Sequence, residues 1–160
     1  MVTLKPNAQM HPRSAGFTLV EALVAVTVLF VLITVAGPAL TGLVVTQQLK
    51  NAGFDLTSSL VLARSEAVTR NVSVTVAPAD ATDWARGWTV SEQGGTVLRR
   101  QSAYGRITVA GPVRVIFNGD GRPDSVATPF SITSPETVLE NGRCLRVRLS
   151  GRPSVARGGC

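Results

Sequence analysis

Few side chains here are equipped for chemistry, and their placement narrows what that chemistry is. One carboxylate, Glu21, stands alone in an otherwise uncharged run over residues 17–38 (FTLVEALVAVTVLFVLITVAGP). An ionisable group inside an apolar helix costs about 2.5–3.5 kcal/mol on membrane-insertion scales, so it is expected to have a partner and a task. Arg143, Arg146, Arg148, Arg152 and Arg157 crowd residues 141–160, a stretch with no acid. Guanidinium groups at that density suit a phosphate backbone, and a solvated basic surface has the same composition. Cys144 and Cys160 flank the same stretch and either close a loop or stand as two free thiols.

Catalytic equipment is sparse. The single histidine, His11, lies ahead of the apolar run in a polar stretch with Lys5 and Arg13. Two cysteines without histidine make no zinc site, and no glycine-rich phosphate loop is followed by lysine. Asp80, Asp83, Asp120 and Asp124 fall between strand-like segments, where solvation accounts for them. The stretch 118–124 partly resembles a calcium loop but places Arg122 where a ligand is needed. No catalytic residue, metal or cofactor is expected.

Composition sets the frame for these groups. The chain is 44% hydrophobic with 15 glycines and two cysteines, which excludes disordered, collagen-like and disulfide-dense classes. Its formal net charge of +6 is made by arginine and points to an anionic partner, either nucleic acid or a lipid surface.

The elements follow from hydrophobic spacing. As a helix, residues 17–38 span about 33 Å, enough to cross a bilayer core. The small residues Ser14-Ala15-Gly16 precede this run, whereas a secretory signal places its cleavage site after it. Two readings stay open on physics alone. One is an uncleaved single-span anchor oriented by Lys5 and Arg13. The other is a cut after Gly16 that frees an amine on Phe17, four residues from Glu21, leaving that carboxylate for a neighbouring subunit's ammonium.

Beyond the run, Val45, Leu49, Ala52, Leu56, Leu60, Ala63 and Ala67 recur at spacings of three and four, the stripe of an amphipathic helix. Gly37, Pro38, Gly42 and Gly53 are its weak points, and Asn71 is the expected stop. Period-two runs follow at 72–77, 87–90, 96–100, 107–110, 113–118, 130–133 and 144–150. The expected fold is α+β: one long helix, transmembrane then amphipathic, packed on a small antiparallel β-sheet head. In the last strand, alternation puts Leu145, Val147 and Leu149 on the core and Arg146 and Arg148 outside, with Gly151 turning the chain and Arg152 and Arg157 on a flexible end.

The junction Gly16-Phe17-Thr18-Leu19-Val20-Glu21 followed by an apolar helix resembles the leader junction of type IV pilins and type II secretion pseudopilins. Leu62-Ala63-Arg64-Ser65-Glu66-Ala67, Trp84-Ala85-Arg86-Gly87-Trp88 and Phe117-Asn118-Gly119-Asp120-Gly121-Arg122 resemble segments of the GspH/FimT branch. The resemblance implies a prepilin peptidase cutting between Gly16 and Phe17, methylation of the Phe17 amine, and assembly with other pilins through Glu21. It implies a leader at 1–16, a transmembrane and filament-core half-helix at 17–43, and a periplasmic head at 44–160 anchored to the inner membrane. It also implies a closing disulfide between Cys144 and Cys160. Some members of the branch are linked to double-stranded DNA through a C-terminal G-R-x-R element. Gly151-Arg152-Pro153-Ser154 matches its first half and departs at Ser154. The expected role is a minor pilin of the type IV pilus, with an H-type pseudopilin of type II secretion or a DNA-binding minor pilin as alternatives. Without the leader's Lys5 and Arg13 the charge falls to +4, and residues 17–140 are near neutral.

Overall fold

The computed structural model describes residues 17–160 apart from residue 81, with the side chains of 35–41 outside that description. The expected leader, including Gly16, lies outside the described residues. Helix α1 runs Leu19–Arg70. Thr18 caps it: Thr18 Oγ1 accepts the Glu21 N–H at 3.2 Å and the Thr18 carbonyl accepts the Ala22 N–H at 3.1 Å. At the other end Asn71 takes a left-handed φ of 53°, and the Val72 N–H donates back to the Ala67 carbonyl at 3.3 Å. That six-to-one closure ends the helix where the periodicity changes, and Asn tolerates the conformation.

The chain divides into two units, Met1–Pro38 and Ala39–Cys160. In the first, the described helical side chains are exposed, and the hydroxyls of Thr27 and Thr34 donate to the carbonyls of Leu23 and Val31 at 2.8 and 2.7 Å. Among the described residues no helix is long and apolar enough to cross a membrane. Side chains 35–41, which complete the apolar run, are not among them.

In the second unit the helical stripe is the spine of the core. All seven residues from Val45 to Ala67 in that stripe are at most 1% exposed. A leucine taken fully out of water contributes about 1.5–3 kcal/mol, so Leu49, Leu56 and Leu60 are substantial anchors. The strands are β1 Val74–Asp80, β2 Asp83–Glu92, β3 Val97–Gln101, β4 Thr108–Ala110, β5 Val115–Phe117, β6 Phe130–Thr133, β7 Arg143–Val147 and β8 Pro153–Arg157, with a 3₁₀ turn at Leu139–Asn141. They form two antiparallel four-stranded sheets, β3-β2-β1-β5 and β4-β6-β7-β8.

Trp84 and Trp88 are fully buried, as core packing requires. The Trp84 ring meets Phe130 edge-on at 4.8 Å and its Nε1–H donates to the Pro112 carbonyl at 2.8 Å. The Trp88 Nε1–H donates to Ser59 Oγ at 2.9 Å, and that hydroxyl donates on to the Asp55 carbonyl at 2.8 Å. Both indoles are thus apolar bodies whose one polar atom is satisfied. Between them Gly87 has φ 95°, and a Cβ there would lie 2.2 Å from the Gln101 carbonyl oxygen.

The α+β class holds, with three corrections in detail. The head contains two sheets where one was expected. The last predicted strand stops at Val147, so Leu149 is 66% exposed in the turn that follows, where alternation had placed it in the core. The segment expected to be a flexible end is β8, paired residue for residue with β7.

Candidate functional site

Two regions hold the residues singled out above. In the first unit, Phe17 precedes the helix and is 74% exposed. Glu21 is exposed at the third helical position, where the Thr18-to-Glu21 spacing is that of a capping box. A carboxylate in a first helical turn is favoured by the helix dipole, typically by about 0.3–1 kcal/mol. Among the described residues it has no ion-pair partner.

In the second unit the five arginines sit on and around the β7–β8 hairpin, and they do not share one surface. Residues directly opposite in an antiparallel pair face the same side. Arg146 lies opposite Ser154 and Cys144 opposite Ala156, and these four with Arg148 line an open cleft of about 450 Å³. Arg143 and Arg157 are opposite each other on the other side. Arg143 packs by Gly53 of α1 and donates from Nη1 to the carbonyls of Asn141 and Gly142 at 2.9 and 2.7 Å. Arg157 donates to the Glu140 carbonyl at 3.2 Å and to Asn141 Oδ1 at 3.1 Å. Arg152 is exposed just before β8. Cys144 and Cys160 are joined by a disulfide across a Cα separation of 5.0 Å.

Charge is sorted around this hairpin. Asp55, Glu66, Asp80, Asp83, Glu92, Asp120 and Glu136 each pair with an arginine elsewhere in the head. None of the five hairpin arginines has a carboxylate within 4.0 Å among the described residues. Among those residues, too, no group of three or more His, Cys, Asp or Glu side chains is placed to hold a metal ion.

Two features escaped sequence reasoning. Arg64 of α1 donates from Nε to the Gly121 carbonyl at 3.0 Å, beside the turn Arg148–Gly151 closed by a 2.8 Å hydrogen bond. Gly151 has φ 76°, and a Cβ there would lie 2.0 Å from the Gly121 oxygen and 2.8 Å from Arg64 Nε. One guanidinium thereby meets turns from both sheets. The second feature is the Tyr104 hydroxyl, which donates to Asp55 Oδ2 and accepts from Gln101 Nε2 at 3.2 Å, while its ring stacks on Trp88 at 6.1 Å. Burial, then the Asp55 carboxylate, push this phenol well above its ordinary pKa of 10.0. Partners 57 and 49 residues apart in the chain give no local signal of either contact.

Residues 52–152 match the family described as type II transport protein GspH, and residues 11–37 match the prokaryotic N-terminal methylation motif. Two crystal structures of the type IV minor pilin FimU from Pseudomonas aeruginosa are similar to this chain. One aligns with TM-score 0.59 at 22% identity over 68% of this chain and 92% of FimU; the other gives TM-score 0.60 at 21% identity over 69% and 89%. Comparison with curated proteins gives no match.

Proposed function

Because the chain belongs to the GspH family of pilin-like proteins, we propose that it acts as a minor pilin of a type IV pilus. A prepilin peptidase cuts between Gly16 and Phe17, the Phe17 amine is methylated, and Glu21 neutralises the terminal ammonium of an adjacent pilin as helices pack. The observation that carries this reading is a methylation motif over residues 11–37 leading into a GspH-type head. Residues 17–43 serve as the inner-membrane anchor and filament core, and 44–160 as the periplasmic head. The hydroxyls of Thr27 and Thr34 donate to carbonyls of their own helix, so neither needs a partner from lipid. Catalysis falls to the peptidase, and this chain is its substrate.

Mass spectrometry of the protein from its native cells tests the reading: the mature N-terminus is N-methylated Phe17. An N-terminus at Met1, or one after residue 38, overturns it. Glu21→Val keeps the anchor and loses incorporation into pili; unchanged incorporation overturns the charge-pairing role.

The family description supports a second reading, the H-type pseudopilin of type II secretion. Its test is loss of secretion rather than of pili when the chain is deleted. The Arg146–Arg148 cleft supports DNA binding within either assembly. There, Arg146→Gln with Arg148→Gln abolishes duplex binding, and retained binding rejects the cleft.

A further inference from the structure

Strand β8 is an outer strand of its sheet, and β7 is the strand it pairs with. Antiparallel partners alternate between pairs that exchange hydrogen bonds and pairs that do not. The Arg148 N–H donates to the Arg152 carbonyl at 3.1 Å and the Gly158 N–H to the Gly142 carbonyl at 2.9 Å, which sets the phase. By that alternation Cys144–Ala156 and Arg146–Ser154 are the bonded pairs. Pro153, Val155 and Arg157 therefore aim their backbone groups away from β7. The free edge offers two donors, on Val155 and Arg157, and three acceptors. Proline at 153 costs β7 nothing, because its missing N–H would have pointed outward.

This edge is not a bare one. Two clefts lie between it and α1, one at each of two successive same-side residues of β8. Val155 borders a cleft of about 280 Å³ with Lys50, Phe54 and Thr57. Pro153 borders one of about 340 Å³ with Val61, Arg64 and Val68. Phe54, Val61 and Val68 recur every seven residues on α1 and are 74%, 51% and 51% exposed. A strand added to β8 would project alternate side chains at that same two-residue period, one into each cleft. The rims are cationic: Lys50, Arg64 and Arg143 have no carboxylate within 4.0 Å among the described residues.

The other sheet edges lack this combination. Strands β4 and β5 are three residues each, and β3 pairs with β2 through a register shift, with Arg99 tied to Asp55 at 3.7 Å. β7 and β8 pair over five consecutive residues without a shift.

We infer that the free edge of β8, with the two clefts against α1, is a strand-addition site for an extended segment of another protein that is apolar at alternate positions and carries carboxylates at its ends. Charge complementarity selects this occupant. A second copy of β8 brings Arg152 and Arg157 against their own kind, which disfavours self-pairing. The inference does not depend on processing at Gly16 or on Glu21, so a Glu21→Val protein that fails to assemble still binds such a segment.

The test uses the full chain in detergent micelles and a fluorescent nine-residue peptide with valine at alternate positions and aspartate at both ends. Fluorescence anisotropy shows it binding about tenfold or more tighter than its lysine-ended counterpart. Amide exchange at Val155 and Arg157 slows by about tenfold or more on binding. N-methylating the peptide amides on the edge-facing side removes binding, and methylating those on the other side leaves it. Val155→Pro weakens binding about tenfold, the worth of one hydrogen bond, while the thermal melt is unchanged. If that variant does not fold, Lys50→Glu serves, with its preference shifted toward the lysine-ended peptide. No binding of the acidic peptide at millimolar concentration overturns the inference. So does binding without protection of Val155 and Arg157, or binding indifferent to the side methylated.

Discussion

Tyr104 is the only tyrosine in the chain, so an absorbance titration reads its hydroxyl alone. Burial and the facing Asp55 carboxylate hold the proton, raising the folded-state pKa above the ordinary 10.0. For a group shifted in that direction the stabilisation is complete below the unfolded value and is lost as pH climbs through the folded one. The phenolate band of the folded protein is therefore expected to rise well after pH 10.0, and a rise at the ordinary value would mean the phenol is neither buried nor facing Asp55. Tyr104→Phe removes one donor facing a carboxylate and is expected to lower stability by about 1–3 kcal/mol in urea melts. A single core change gives a calibration: Leu56→Ala, at a position with no exposure, costs about 2–5 kcal/mol.

Among the elements, the helix was the most legible and the last hairpin the least. Spacings of three and four marked every stripe residue of α1 because one helix face packs on one core, a regularity written locally. The Asn71 stop was legible for the same reason. Leu149 misled because alternation says nothing of where a strand ends, and the turn Arg148–Gly151 rotates it to solvent. β8 was missed because Pro153, Ser154 and Ala156 have weak strand preference; pairing with β7 imposes the conformation. The division into two sheets is also non-local, since β1 pairs with β5 across three intervening strands. A hairpin held this way leans on its crosslink. Cys160→Ser opens a loop with a separation of 16 residues. By loop entropy that lowers stability by about 3 kcal/mol, and exchange of the β8 amides accelerates before that of β1 or β2. Equal acceleration throughout would show that the hairpin unfolds only with the whole head.

For the molecule as a whole, charge is distributed more tellingly than its total. The +6 of the sequence is concentrated by folding, because seven acids of the head, all but Asp124 and Glu140, are already engaged with arginines elsewhere while the hairpin's five are not. If Arg146, Arg148 and Arg152 each meet a duplex phosphate, log affinity falls against log salt with a slope of about −2.7. A slope near zero would mean that no phosphates are contacted. The signs of candidate binding were readable in sequence as composition, but their separation onto two sides of one hairpin was not, since register decides it. The meeting of Arg64, Gly121 and Gly151 has a further consequence, for how such a protein changes over generations. The obstacle to any side chain at 151 is the backbone oxygen of 121, which no mutation at 121 deletes. Compensation by a second substitution is therefore closed, and the two turns can diverge only together, by a length change that moves the backbone of one away from the other.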